Sequence, residues 1–136
     1  MRNLKHLGRA AALLLLPVLA DGNAALGQPR GAPWAAQPTV TARDGEGVYR
    51  SMCQGCHMPE GQGAEGAASY PALARNPRLE AAGYPLTLIL RGQRAMPAVG
   101  SFLDDEQVAA VVTYIRTHFG NDYREAVRPE DVRAMR

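Results

Sequence analysis

The sequence predicts a small all-α protein, and three observations lead to this prediction. Apolar residues recur at helical spacing in the second half of the chain, most clearly between Val108 and Phe119. No stretch alternates apolar and polar residues for long enough to indicate a β-strand. At 136 residues, the chain has room for one domain with short appendages and not for two independent cores.

The first 20 residues have the pattern of a signal peptide. Three basic residues precede an apolar stretch over residues 10–20, which is shorter than the roughly 20 residues that a transmembrane helix needs. Small residues favour cleavage near Ala20. Residues 21–43 are rich in Ala, Gly, Pro and Gln without an apolar repeat, which predicts a flexible N-terminal segment. We therefore expect export to the periplasm and no membrane span in the mature chain.

The charge of the chain argues against one class of function. The formal charge is +2, and removal of the leader takes away three basic residues, so the mature chain has 12 Lys and Arg against 13 Asp and Glu. Nucleic-acid binding depends on a basic face that neutralises phosphates. A nearly neutral chain gives that function no support.

The first helix is predicted to begin at Asp44 and to run towards Cys53. The Asp44 side chain can cap the helix, and the glycines lie near its start. Residues 59–70 are rich in glycine and other small residues, which predicts an irregular loop. One helical turn is predicted over residues 78–82.

Two later helices have clearer boundaries. Pro85 fits the first turn of a short buried helix, and Gly92 fits its end. In the longest helix, Asp104 can cap the N-terminus while Gln107 reaches back to it. The apolar stripe of this helix ends at Gly120.

The last part of the chain, residues 120–136, is predicted to be a polar tail. Pro129 is placed to open one more short helix within it. The predicted organisation is therefore a leader over 1–20, a flexible segment over 21–43, a helical domain over 44–119, and this tail.

A cysteine motif gives the chemistry. Residues 53–57 read Cys-Gln-Gly-Cys-His, the C-x-x-C-H signature of covalent haem attachment. Cys53 and Cys56 lie about one helical turn apart, so that each thiol can add across a haem vinyl group, and His57 is then held under the ring to ligate the iron. A bare C-x-x-C is shared with thioredoxin-like redox pairs and half zinc sites. The first needs a βαβ setting and the second needs another ligand pair, so we expect one covalent haem c.

The expected second axial ligand is a methionine, whose sulfur raises the reduction potential of the haem iron. Met1 leaves with the leader, and Met52 and Met58 lie beside the anchored motif. Met96 stands before a proline on a loop between two buried helices, whereas Met135 is near the end of the polar tail. We therefore expect Met96 to bind the iron opposite His57.

Several of these residues have alternative roles. Met96 has core filling as its alternative role, since methionine adapts to irregular gaps. His118 is a weaker candidate for the distal ligand, because the helix dipole already favours a histidine in the last helical turn. Arg91 and Arg94 are either solvated loop residues or neighbours of the haem propionates.

From Asp44 to about Phe119 the sequence resembles the class I cytochromes c. The motif at Cys53, the Met96-Pro97 pair and the entry to the last helix carry the resemblance. It implies the cytochrome c fold, in which a few helices wrap around one covalently bound haem. It also implies that the Pro71 carbonyl accepts the imidazole N–H of His57, a bond that fixes the ring and increases its donor strength.

The same resemblance implies a contact between the first and last helices. Gly45 and Tyr49 correspond to the glycine and aromatic residue through which the two helices cross in that family. Val111 and Tyr114 look like their partners on the last helix.

A narrower resemblance concerns the redox partner. Asn76-Pro77, Arg91-Gly92 and the ending from Asn121 are similar to haem domains that serve periplasmic dehydrogenases as electron-accepting subunits, including those of alcohol and gluconate dehydrogenases. This implies a one-haem electron carrier between a dehydrogenase, or another donor, and a respiratory acceptor, with no catalytic residue of its own. The alternative is a haem peroxidase or gas-binding sensor, in which Met96 would be displaced and a distal polar group would be needed.

Overall fold

A computed structural model describes residues 39–136, so that the predicted signal peptide and most of the segment over 21–43 lie outside the described residues. The elements are, in chain order, α1 (Gly45–Val48), a π-helical segment (Tyr49–Cys53), α2 (Gln54–His57), a 3₁₀ turn (Pro77–Leu79), α3 (Gly83–Arg91), a second 3₁₀ turn (Val99–Phe102), α4 (Asp105–Thr117) and α5 (Pro129–Arg133). The only β pairing over this range consists of two isolated bridges. The all-α prediction is confirmed for the described part of the chain. No helix there has the length and apolar character needed to cross a bilayer.

The core lies around α4, which contacts α1, α3 and α5. The apolar stripe predicted for this helix is buried as expected. The most deeply buried apolar side chains are Val48, Tyr49, Leu79, Leu86, Val108, Val111, Val112 and Val132.

The chain's first helix begins as an ordinary capped α-helix and departs from α-helical geometry after Val48. The Asp44 side chain accepts a hydrogen bond from the Gly47 N–H at 2.8 Å, which confirms the predicted cap. After Val48, however, the helix widens into the π-helical segment, where the Gln54 N–H donates to the Tyr49 carbonyl, five residues back. The motif cysteines therefore lie on a continuation of the first helix.

The crossing of α1 and α4 is close. A Cβ atom on Gly45 would lie 2.3 Å from the Ala110 carbonyl oxygen and 2.6 Å from Cβ of Tyr114. The Tyr49 ring packs beside the Tyr114 ring, with centroids 5.7 Å apart. The implied crossing is present with Tyr114 as expected, whereas Ala110, and not Val111, lies beneath the glycine.

Other helix boundaries move by one to three residues. The predicted turn over 78–82 is the 3₁₀ turn Pro77–Leu79. Pro85 does lie in the first turn of α3, and Gly92 ends that helix with φ +70°. The longest helix ends at Thr117 instead of Gly120, because His118 is extended and the next two residues have left-handed φ angles.

The tail folds back onto α4. The predicted short helix at Pro129 is confirmed as α5, and its Val132 side chain is completely buried. The Val127 N–H donates to Oγ1 of Thr113 at 3.1 Å. The same core that packs α1 against α4 thus includes residues of the tail.

A buried arginine joins three parts of the fold. The Arg116 side chain on α4 is 1% exposed. Its Nε donates to the Leu79 carbonyl at 2.9 Å and its Nη2 to the Glu80 carbonyl at 2.8 Å, while Nη1 donates to the Glu125 carbonyl. The guanidinium therefore ties the first 3₁₀ turn and the tail to α4.

The N-terminus of α4 is capped as predicted and holds the incoming chain. Asp104 and Gln107 form a capping box, with the Gln107 N–H 2.9 Å from Oδ1 of Asp104. Nε2 of Gln107 also donates to the carbonyls of Val40 and Ala42, each at 2.8 Å. Residues 40–42 are thereby fixed against α4.

The Asp104 cap predicts an acid-dependent loss of stability. The hydrogen bond from Gln107 holds the pKa of the Asp104 carboxyl below its ordinary value of 3.8. We expect Asp104→Ala to lower the free energy of unfolding by about 1 kcal/mol at neutral pH. This difference should be complete above pH 3.8 and disappear as the pH falls through the lowered pKa. Denaturant titrations at several pH values measure it.

Asp104→Asn is the matched control, because asparagine caps helices about as well as aspartate but does not titrate. It should keep most of the stability of the parent at neutral pH. If the loss of unfolding free energy in Asp104→Ala did not change with pH down to pH 2, the assignment would be contradicted.

Candidate haem site

The C-x-x-C-H residues lie at the end of the first helix with different degrees of burial. Cys53 is partly buried, Cys56 is exposed, and His57 is 9% exposed. Burial, and then the neighbouring Cys56, raise the pKa of the Cys53 thiol to about 12. The two thiols are not joined in a disulfide, so both sulfur atoms are free to form bonds to a cofactor.

The imidazole of His57 is oriented by the backbone. Its Nδ1 lies 2.9 Å from the Pro71 carbonyl oxygen. A carbonyl oxygen only accepts hydrogen bonds, so Nδ1 carries the proton in this contact and Nε2 keeps its lone pair. The structure thus brings His57 and Pro71 together, with one ring nitrogen left for a metal.

A glycine-containing loop places Pro71 beneath the ring. The Gly61 carbonyl accepts hydrogen bonds from the N–H groups of Leu73 at 2.7 Å and Ala74 at 2.9 Å. Gly63 has φ +67°, and a Cβ atom there would lie 2.3 Å from the Tyr70 carbonyl oxygen. Only glycine fits at this position of the turn, which explains Gly63 in the irregular loop.

Two further residues support this side of the site. The Tyr49 hydroxyl donates to the Met58 carbonyl at 2.7 Å, and burial, followed by the nearby Cys53, raises the pKa of Tyr49 to about 12. Asn121 is buried, and its Nδ2 donates to the Leu73 carbonyl at 2.9 Å and the Ile115 carbonyl at 2.8 Å. Asn121 therefore holds the segment after Pro71 against α4. No local pattern in the sequence predicted this role of Asn121, because its acceptors include the Leu73 carbonyl, which is far away in the sequence.

Met96 lies in the distal segment, which we define as residues 92–103 between α3 and α4. Gln93 and Met96 exchange backbone hydrogen bonds, both at 2.9 Å, and close a tight turn. A Cβ atom on Gly92 would lie 2.7 Å from the Met96 carbonyl oxygen, so the turn requires this glycine. The Met96 side chain is partly buried against the core.

The two arginines of the distal region have different surroundings. Arg91 ends α3, and its Nη2 donates to the Met135 carbonyl at 3.1 Å. Arg94 is exposed in the Met96 turn and has φ +54°. His118 is remote from both in sequence, and its ring stacks on Tyr114 with centroids 4.1 Å apart.

The chemistry of these donors fits a c-type haem. The chain offers two free thiols on one stretch of helix, an imidazole with a lone pair on Nε2, and a thioether on a separate segment packed against the core. Thiols at this spacing form the covalent links, and imidazole and thioether are established axial ligands of haem iron.

Comparison with known proteins agrees with this chemistry. The model of the family described as cytochrome c oxidase, cbb3-type, subunit III matches residues 40–115. The chain is 33% identical over 107 residues to the gluconate 2-dehydrogenase cytochrome c subunit of Pantoea cypripedii, covering 70% of this chain and 24% of that protein. It is 30% identical over 93 residues to the fructose dehydrogenase cytochrome subunit of Gluconobacter japonicus, covering 57% and 19% respectively. The chain thus spans less than a quarter of the length of these relatives.

The family match covers more than half of the chain and includes the C-x-x-C-H motif. It implies a covalently bound haem c and a role in electron transfer, and both relatives are named as cytochrome subunits of dehydrogenases. The resemblance to cytochromes c and to dehydrogenase cytochrome subunits is confirmed. This chain belongs to the cbb3-type cytochrome c oxidase subunit III family of cytochrome c domains.

Proposed function

We propose that this protein is a periplasmic electron carrier with one haem, which passes single electrons between a dehydrogenase, or another donor, and a respiratory acceptor. The observation that carries the proposal is the contact between His57 Nδ1 and the Pro71 carbonyl at 2.9 Å. It supports a fixed imidazole with Nε2 directed to the iron. With Met96 as the second axial ligand, the chain itself fills both axial positions.

Each site residue then has a separate role. Cys53 and Cys56 bind the haem covalently, His57 and Met96 hold the iron, and Pro71 orients the imidazole. The haem supplies a reversible one-electron change at the iron. The chain keeps the ligand set closed and excludes water from the metal, which disfavours binding of peroxide or oxygen.

The charge pattern supports a role for Arg94 and Arg91 beside the haem propionates. Within residues 39–136 there are six ion pairs between an arginine and a carboxylate. None of their arginines lies in residues 72–103. Arg94 in the Met96 turn therefore has no carboxylate partner in the described chain, and a propionate would supply one. Arg91 shares this property but already donates to the Met135 carbonyl.

The dehydrogenase partner is supported by the two relatives, since both are named as cytochrome subunits of sugar or sugar-acid dehydrogenases. The sequence contains only two cysteines, which provide for one haem. We propose that the chain accepts electrons from a periplasmic dehydrogenase. Export is supported by the leader pattern in residues 1–20.

The first test is spectroscopic. The full sequence is expressed in a host that matures c-type haem, and the purified protein is examined by haem staining of a denaturing gel and by absorption spectra of both redox states. We expect haem that survives denaturation, sharp reduced bands and the red charge-transfer band of methionine-ligated ferric iron. Covalent haem with carbon monoxide binding and without that band would favour a sensor or peroxidase, and the absence of covalent haem would end the proposal.

Met96→Ala tests the distal ligand. Loss of the thioether opens the iron, so this variant should lose the charge-transfer band and bind imidazole at concentrations that leave the parent unchanged. Met135→Ala is the control, because it removes the other candidate methionine but keeps the Met135 backbone carbonyl that accepts from Arg91, and it should retain the charge-transfer band. Equal imidazole binding by the parent and Met96→Ala would rule out Met96 as the ligand.

A further inference from the structure

The distal segment has few fastenings of its own. Its backbone hydrogen bonds are local: Gln93 pairs with Met96, the Val99 N–H donates to the Pro97 carbonyl at 2.9 Å, and later residues bond within the second 3₁₀ turn. Within residues 39–136, the hydrogen bonds that join residues 93–103 to a distant part of the chain all come from Arg136. Apart from the packing of Met96, Val99 and Leu103 against the core, the segment is therefore joined to the rest of the described chain through that side chain.

Arg136 binds the distal segment on the side that follows Met96. Its Nη1 donates to the Gly100 carbonyl at 3.2 Å and its Nη2 to the Leu103 carbonyl at 2.9 Å. On the side that precedes Met96, the Arg91 guanidinium donates to the Met135 carbonyl at 3.1 Å. The residues after α5 thus connect to the chain on both sides of the methionine.

The Arg136 guanidinium is itself held in place by α4. Its Nε lies 2.7 Å from Oδ1 of Asp105, whose side chain is 18% exposed. Asp105 is in the first turn of α4, where a carboxylate is favoured by the helix dipole. A planar guanidinium that bonds a carboxylate and two carbonyls has one preferred orientation, which makes it a directional fastening.

We propose that Arg136 is a positioning residue that keeps the distal segment closed and thereby stabilises the bond between Met96 and the iron. This inference rests on the proposed function, because it requires Met96 to be the axial ligand. An external ligand competes only when the segment opens, so its apparent affinity rises with the open fraction. Loosening the fastening should increase that fraction without changing any ligand atom.

Arg133 provides a matched control. Its Nε lies 3.4 Å from Oδ2 of the same Asp105, but it makes no hydrogen bond to the distal segment. Arg136→Gln and Arg133→Gln both remove one positive charge beside one carboxylate. Only Arg136→Gln removes the hydrogen bonds to the Gly100 and Leu103 carbonyls.

The experiment measures imidazole binding to the ferric, haem-loaded variants and amide hydrogen exchange over residues 92–103. For Arg136→Gln we expect the imidazole association constant to rise roughly threefold to tenfold, where tenfold corresponds to about 1.4 kcal/mol, the scale of one charge-assisted hydrogen bond. Exchange of amides in the distal segment should accelerate by a similar factor. For Arg133→Gln both quantities should stay within about twofold of the parent.

Two further variants keep the test decisive. Arg136→Lys retains the charge beside Asp105 but loses the fork geometry, so its imidazole affinity should fall between those of the parent and Arg136→Gln. If Arg136→Gln does not accumulate, Asp105→Asn removes the carboxylate that holds the Arg136 guanidinium and should also raise the affinity. Equal values for the Arg136 and Arg133 variants, or equal values for Asp105→Asn and Arg133→Gln in that case, would overturn the inference.

A different result would refute the proposed function itself. If the parent lacks covalent haem or the charge-transfer band, the assignment of Met96 is wrong and the inference falls with it. If the parent shows both and Arg136→Gln binds imidazole as the parent does, only the role of Arg136 is refuted.

Discussion

Replacing Arg116 with methionine is expected to lower the free energy of unfolding of the haem-loaded protein by about 3 kcal/mol. The substitution keeps an unbranched side chain of similar length but removes the donors to the carbonyls of Leu79, Glu80 and Glu125. A hydrogen bond from a charged donor contributes about 1.5–3 kcal/mol. Relief from burying the charge offsets part of the loss from these three bonds.

The nature of the acceptors explains why this substitution should lower the free energy of unfolding and not raise it. Buried ion pairs can often be replaced by apolar residues at no cost when both partners are exchanged. Backbone carbonyls cannot be exchanged, so those beside Arg116 would stay behind without a donor. A carbonyl left buried and unpaired costs free energy in the folded state.

Denaturant unfolding followed by haem absorbance measures the effect. Arg124→Met is the control, because the Arg124 side chain is 83% exposed and pairs only with the exposed Asp122. It should change the free energy of unfolding by less than about 0.5 kcal/mol. Arg116→Lys should give an intermediate value, since an ammonium group cannot serve all these carbonyls at once. Equal stability of the two methionine variants would show that the buried guanidinium contributes nothing.

Gly45→Ala is expected to destabilise the haem-loaded protein by about 2–3 kcal/mol. The added methyl group would lie 2.3 Å from the Ala110 carbonyl oxygen. Backbone atoms of α4 cannot turn aside as a flexible side chain can, so α1 must shift away from α4. Because the first helix continues into the cysteine motif, this shift would also disturb the contact between Tyr49 and Tyr114.

Gly83→Ala is the matched control for this prediction. Gly83 begins α3, and a Cβ atom there would have no neighbouring atom within 4 Å. It should be neutral or stabilising by up to about 1 kcal/mol, because alanine has the higher helix propensity. If Gly45→Ala also proved neutral, the two helices would not be in the close contact that the structure shows.

Local signals in the sequence predicted much of the fold correctly. Asp44 and Asp104 cap their helices, Gly92 ends α3, and Pro129 opens α5. Such signals work because capping and turn formation depend on residues close in sequence. The family assignment was equally accessible, because two thiols and a histidine at fixed spacing have few other chemical uses.

Contacts between distant residues were not predictable in the same way. Arginine is usually a surface residue, yet Arg116 is buried because three carbonyls from other segments accept hydrogen bonds from it. Asn121 and Arg136 likewise act through acceptors that are distant in sequence. For the same reason the sequence predicted only a polar tail over residues 120–136. In the structure, arginines and buried valines of this tail attach it to the domain.

The π-helical segment separates two requirements that an uninterrupted α-helix would couple. A π-turn contains one residue more than an α-turn, and one residue corresponds to about 100° of rotation about the helix axis. The wide turn takes up this rotation locally, so the parts of the helix before and after Tyr49–Cys53 need not follow one 3.6-residue repeat. The face of Gly45 that crosses α4 and the face that carries Cys56 and His57 are therefore oriented separately.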